Sequence, residues 1–164
     1  MNSRIFIPTI VVSGFPAIGK SFIAKKLPTM ARDLESSDYH WIINNEGKKI
    51  LNSKWPMNYI SDIKALEKSG MYRNVLVSSH EEIRKTMASA GIKYTNVFPE
   101  NTPQMKKIIL ERCRCRHNTE EFITNLDEHW NDYIDSLLND SGAVCKVAIN
   151  KESLEMWQTW MLME

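Results

Sequence analysis

The chain of 164 residues is short of cysteine, of net charge and of long apolar runs. Its three cysteines, Cys113, Cys115 and Cys145, are odd in number and lack framework spacing. That excludes a disulfide scaffold and fits a reducing compartment, so a cytoplasmic location is expected. Cys113-Arg114-Cys115 would be half of a metal site, but no second pair accompanies it. Ordinary helix residues are the better reading. A net charge of +1 leaves no global field to recruit nucleic acid or a membrane, although it does not exclude a local basic patch. No apolar run reaches bilayer length, so no membrane partner is expected. Residues 1–8 carry one Arg and a short apolar stretch without a signal-peptide pattern. There is no internal repeat, low-complexity segment or long linker.

What remains is an ordinary globular composition, 43% apolar and 25% charged, long enough for one domain with a sizeable core. The most informative stretch is Gly14-Phe15-Pro16-Ala17-Ile18-Gly19-Lys20-Ser21. It has the form G-x-x-x-x-G-K-[ST], the phosphate-binding loop of NTP-using proteins. Gly14 and Gly19 allow turns that a side chain would obstruct. Successive N–H groups can then face one concavity and hold phosphate oxygens, next to the positive end of a helix. Lys20 would reach the terminal phosphates, and the Ser21 hydroxyl would ligate Mg²⁺. The context is the required one. The β-branched run Ile10-Val11-Val12 precedes the loop, and Phe22 to Leu27 follows with helical spacing.

The rest of the chain alternates strand and helix, which predicts an α/β fold with a parallel sheet covered on both faces. Strand 1 is expected at about 9–13 and helix 1 at about 19–27, ended by Pro28. Strand 2 is expected near 32–36, before a polar loop over 37–41 and a loop or irregular insertion over 44–53. A helix from Pro56 presents Tyr59, Ile60, Ile63 and Leu66 and stops at Gly70. Strand 3 is expected at 74–78, with a helix from Glu81 to Gly91. Strand 4 is expected at 92–98. A helix from Pro103 to about Arg116 breaks near Asn118, and Thr119 caps the next helix. That helix carries a stripe of Phe122, Ile123, Leu126, Trp130, Tyr133, Ile134 and Leu137. Strand 5 at 143–149 precedes a final helix at 151–161. Right-handed crossovers place strand 1 centrally, giving about five strands in the order 2-3-1-4-5. Ligands in such sheets gather beyond the carboxyl ends of the strands.

Several other residues at that edge are candidates. The basic cluster Lys106, Lys107, Arg112, Arg114 and Arg116 puts Arg112 and Arg116 on one helix face. Beside a phosphate loop they suit a closing lid over about 103–120; alternatively they are a solvated basic face. Asp38 is placed to meet an acceptor substrate, while Asp33 or Glu35 lies nearer Mg²⁺ or an attacking hydroxyl. Any of these carboxylates could equally be a cap or turn residue. Many phosphate-loop proteins place a Mg²⁺-organising Asp near the end of strand 3, and here Ser78, Ser79 and His80 stand instead. Trp41, Trp55 and Tyr59 suit an aromatic wall for a nucleobase, or, more simply, packing.

GFPAIGKS, LESSDYHW, VLVSSHEEIR and ERCRCRHNTEEFITNLDEHW together resemble the nucleoside and nucleotide kinase branch of the P-loop proteins. They are similar in particular to small adenylate-kinase-like proteins of bacteriophages and their hosts. The resemblance implies donor phosphates of ATP at Gly14 to Ser21, Mg²⁺ at Ser21, and lid arginines at Arg112 and Arg116. It implies an acceptor region at Ser37, Asp38 and the helix containing Tyr59. The expected activity is transfer of the γ-phosphate to a nucleoside, nucleotide or nucleotide-like hydroxyl. Lys20, Arg112, Arg116, Asp38 and Glu35 are the expected catalytic residues. The rival readings are a kinase for modified bases or ends of DNA, and a nucleotide-binding regulatory module without turnover. The first is disfavoured by near-neutral charge, because a nucleic-acid track needs a basic stripe.

Overall fold

The computed structural model describes residues 8–155. A five-stranded parallel sheet has the order β2-β5-β1-β6-β7. Its strands are β1 (Ile10–Gly14), β2 (Ala31–Asp33), β5 (Asn74–Ser78), β6 (Tyr94–Pro99) and β7 (Cys145–Ile149). Counted among themselves they run 2-3-1-4-5. Two further strands, β3 (Trp41–Ile43) and β4 (Lys49–Leu51), form a separate antiparallel hairpin. No helix among the described residues is long and apolar enough to cross a membrane.

The period of two along the central strands sorts the core into two halves. Val12 and Leu76 face one side, packed with Ile23 of α1 (Lys20–Lys26). The same side takes Ile109 of α5 (Pro103–Cys115), Leu126 of α6 (Glu120–Glu128) and Ile134 of α7 (Trp130–Leu138). Val11, Val75 and Val77 face the other side. There they meet Tyr59 and Ile63 of α3 (Met57–Ser69) and Ile83 and Met87 of α4 (Glu81–Ser89). Burying β-branched side chains on both faces is what makes this strand arrangement stable.

Several elements differ from the sequence expectation. β2 is shorter than 32–36, because Leu34 leaves the ladder after donating its N–H to Leu76 O at 2.9 Å. The polar loop at 37–41 contains a helical turn, α2 (Ser37–His40). The stretch at 44–53 is not irregular. Asn44 Oδ1 accepts from Glu46 N at 3.0 Å and Lys48 N at 2.9 Å, and Gly47 turns at φ 74°, closing the β3–β4 hairpin. The long helix after Thr119 is two helices, divided at His129, which caps both α6 and α7. Thr119 caps α6 as expected, its Oγ1 accepting from Phe122 N at 3.2 Å. Residues 151–155 are helical. The remainder of the expected final helix, with Trp157, Trp160 and Met161, lies outside the described residues.

Candidate active site

β1 delivers the chain at Gly14, between Ser78 of β5 and Val97 of β6. Phe15 N then donates to Val97 O at 2.9 Å, and the loop turns away from the sheet edge. The Phe15 ring is buried edge-on against Trp130, with centroids 5.4 Å apart, which anchors the loop on α7. The two glycines act differently. Gly19 adopts φ 111° and caps α1 from the left-handed region. Gly14 is required for space, since a Cβ there would lie 2.8 Å from Lys20 Cδ and 3.2 Å from Ile18 Cγ2. The second left-handed position falls on Ala17, at φ 59°.

Lys20 folds back over its own loop, Nζ donating to Gly14 O at 2.8 Å and to Phe15 O at 3.4 Å. Loss of solvent around the ammonium lowers its pKa, an effect opposed by the nearby Asp33 and Glu35 carboxylates and reinforced by Arg116. Ser21 Oγ donates to Asp33 Oδ2 at 2.7 Å. The other oxygen, Asp33 Oδ1, is buried without a hydrogen-bond partner. A hydroxyl beside an acidic oxygen with unused acceptor capacity fits the shared water shell of a Mg²⁺ ion. The described residues hold no cluster of three or more His, Cys, Asp or Glu side chains arranged for a metal. No acid stands beside Ser79 after the end of β5; the carboxylate that meets the Ser21 hydroxyl is Asp33, at the end of β2.

Two cavities flank the loop. The first, about 360 Å³, lies over the carboxyl ends of β2, β1 and β5 and is closed by α6 and α7. Gly14 to Ala17, Lys20, Glu35, Ser79 and His80 line it from the sheet side. The second, about 450 Å³, lies outside the loop and is bounded by Gly19, Ser21, Phe22, Lys25, Arg112, Cys115 and Arg116. Ala17 and Arg116 border both. Arg112 Nη1 donates to Ala17 O at 3.3 Å, so the end of α5 already rests on the phosphate loop. Partial burial lowers the Arg112 pKa, and Glu155 opposes that. Arg116 sits one turn further on, its N–H bonded to Arg112 O at 3.0 Å, where His117 at φ 57° ends the helix.

The structure therefore gathers Gly14, Phe15, Pro16, Ala17, Gly19, Lys20, Ser21, Glu35, Arg112 and Arg116 around two adjoining cavities. Ile18 is fully buried beneath the loop and lines neither. Asp38 is exposed on α2 and also lines neither. Trp41 and Trp55 stack on the two sides of His40, at 4.5 and 4.6 Å, away from both cavities. Tyr59 is a core residue whose hydroxyl donates to Leu34 O at 2.8 Å and accepts from Ser78 N at 3.0 Å, tying β2 to β5. The aromatic side chains that do line the first cavity are Phe15, Phe122 and Tyr133. The last two belong to the apolar stripe with helical period, and they are 36% and 39% exposed.

Arg84, at the cavity floor, carries no sequence signal. It is 3% exposed, and its guanidinium donates to Ser79 O at 3.0 Å, Ser136 O at 3.1 Å and Asp140 Oδ2 at 2.7 Å, as well as to Ser136 Oγ. Asp140 also accepts from Tyr94 and Asn96. Burial alone would raise its carboxyl pKa, but hydrogen bonds from Asn96, Arg84, Gly142 N and Tyr94 overcome that and hold it low.

No protein-family model matches the sequence, and no curated protein matches it. Among solved structures the chain is similar to the tunicamycin resistance protein of Deinococcus radiodurans, with a TM-score of 0.60. Sequence identity is 12%, over 94% of this chain and 92% of that one. A gluconokinase from Sinorhizobium meliloti aligns with a TM-score of 0.46 and 15% identity, over 97% of this chain and 93% of that one. The first likeness is one of fold alone, and the second is too distant to argue from. The chain has a P-loop NTPase fold: an α/β sheet with the glycine-containing loop 14–21 at the head of its first helix.

Proposed function

We propose that the protein is an ATP-dependent phosphotransferase, a single P-loop kinase-like domain with its lid at about 103–120. It moves the γ-phosphate to the hydroxyl of a nucleoside, nucleotide or nucleotide-like acceptor. The observation that carries this reading is that Lys20 lines the first cavity, Ser21, bonded to Asp33, lines the second, and Arg116 borders both. ATP belongs in the second cavity with its phosphates across the loop, and the acceptor in the first. The resemblance to small adenylate-kinase-like proteins of bacteriophages supports the same reading. Unpaired cysteines, one buried and two exposed, support a cytoplasmic location.

Each residue then has a task. Lys20 exchanges its bonds to Gly14 O and Phe15 O for phosphate oxygens. Ser21 and Asp33 would hold Mg²⁺, which when bound supplies charge neutralisation at the terminal phosphates. Arg112 and Arg116 stabilise charge on the transferring group, a role suited to the planar guanidinium. Glu35 lines the first cavity near Lys20 and orients the acceptor hydroxyl. The acceptor oxygen bonds to the γ-phosphorus, the bond to the β-bridging oxygen breaks, ADP leaves, and Glu35 takes the hydroxyl proton. Asp38 lines neither cavity and so does not share that role directly.

Lys20→Ala tests the reading. Phosphate transfer should fall by about a thousandfold while the circular dichroism spectrum is retained, because one preorganised charge on a transferring group has that order of effect. An unchanged rate would remove the mechanism. ATP binding without product from any acceptor would leave a nucleotide-binding module instead.

A further inference from the structure

The charges around the first cavity are unevenly placed, and their placement bears on the acceptor. Among the described residues, its three cations are Lys20, Arg84 and Arg116. Lys20 belongs to the phosphate loop, and Arg116 stands on the border with the second cavity, so both serve the donor phosphates. Arg84 has five N–H donors, of which the bonds to Ser79, Ser136 and Asp140 use four. Its charge is matched by the buried Asp140. No cation of this lining therefore remains for an anion on the acceptor. The remaining charged side chains are Glu35 and Glu81 on the sheet side and Asp132 on α7, all carboxylates.

The rest of the wall has a different chemistry. α6 and α7 present the half-exposed rings of Phe122 and Tyr133, with Asn118, Asn125 and Ser136 around them. The Tyr133 hydroxyl donates to Asn125 Oδ1 at 2.8 Å, which holds that amide so that its NH₂ is left to donate elsewhere. Flat apolar faces with neutral donors and acceptors suit a ring bearing hydroxyls. A phosphate here would meet Glu35, Glu81 and Asp132, of which Glu81 is engaged by Lys85, with no cation of the lining left to pair with it.

We infer that the acceptor is an uncharged, ring-bearing polyhydroxyl compound of nucleoside type that carries no phosphate of its own. This narrows the phosphotransferase reading and rests on it. The ring lies against Phe122 and Tyr133, the sugar hydroxyls meet Asn125, Ser136 and Asp132, and one hydroxyl faces Glu35.

Matched pairs test it: adenosine with AMP, uridine with UMP, and thymidine with TMP. Each is incubated with the full chain, Mg²⁺ and γ-labelled ATP, and the products are read by mass spectrometry. ATP binding is measured calorimetrically in parallel. The unphosphorylated member of at least one pair should be used with a kcat/KM about tenfold or more above its monophosphate, because like charges placed together in a binding site are strongly disfavoured. Equal use of both members, or preference for the monophosphate, would overturn the inference and leave the phosphotransferase reading standing. ATP binding without transfer to any member would overturn the inference and leave a nucleotide site. Absence of ATP binding would overturn both. In Asp132→Lys, where an exposed carboxylate becomes a cation, the ratio should move towards the monophosphate by about tenfold; an unmoved ratio would count against the charge argument.

Discussion

Ser21 and Asp33 join the first turn of α1 to the end of β2 through a 2.7 Å hydrogen bond, leaving one Asp33 oxygen buried and unpartnered. The pair brings a hydroxyl and a carboxylate to the lip of the phosphate loop. Asp33→Asn should keep the Ser21 contact through the amide oxygen while removing the charge. Mg²⁺ should then support the reaction only at concentrations about 10–100-fold higher, the usual effect of losing a group that orients a metal's shell. A Mg²⁺ titration of transfer rate, wild type against variant, checks this. Superimposable titrations would show that Asp33 only packs the helix.

Gly14→Ala should disable the loop without touching a polar group. The new methyl would meet Lys20 Cδ at 2.8 Å and Lys20 Cγ at 3.0 Å, so the lysine must leave its present path. Overpacking of this kind costs about 1–3 kcal/mol. Urea denaturation should register that loss, and calorimetry should show weakened ATP binding. Unaltered affinity would mean that Lys20 has a second productive route to the phosphates.

Much of this arrangement is legible in the amino-acid order, and the reasons are local. The run Ile10 to Val12, the spaced glycines and the apolar positions of α1 each follow from short-range chemistry. Gly70 ends α3 in the left-handed region, and Thr119 caps α6, as their residue types require. The hairpin is hidden because every residue of β3 and β4 is exposed, so no alternation of burial marks it. The division at His129 is hidden because the residues around it are all compatible with a continuous helix. That division leaves Phe122 and Tyr133 half-exposed on the cavity instead of in the core. Arg84 and Asp140 meet across 56 positions, a pairing that no periodicity encodes. Asp33 is one of several carboxylates near the end of β2, and only its contact with Ser21 separates it from the others.

The Arg84–Asp140 pair should dominate the stability of the cavity floor. The two side chains are 4% and 11% exposed, and the carboxylate also accepts from Gly142 N at 3.0 Å. Asp140→Ala leaves a buried guanidinium without its counter-charge, which costs about 3–5 kcal/mol. Chemical denaturation should show the loss as a lower midpoint with an unchanged slope. A cost below about 1 kcal/mol, the value of an exposed pair, would mean that water reaches Arg84.

Acid should weaken the fold at His80. This residue precedes α4 at the carboxyl end of β5, beside the first cavity. His80 is exposed; the partial loss of solvent around its ring is the largest cause of its depressed pKa, and the positive charges of Lys20 and His40 add to it, against Glu82 and Glu35. A histidine whose folded pKa lies below the ordinary 6.5 binds its proton less readily folded than unfolded. Its contribution is therefore complete above about pH 6.5 and is lost as the pH falls through that value towards the folded pKa. Urea midpoints measured from about pH 7.5 down to 5 should decline more steeply for the wild type than for His80→Asn, which cannot take up the proton. ATP should reduce the contrast. Phosphate charge drawn against Lys20 reduces the repulsion felt by an imidazolium, so the decline should flatten when ATP is bound. Parallel declines in wild type and variant, with and without ATP, would mean that the exposed imidazole is too well solvated to sense Lys20 and the loop.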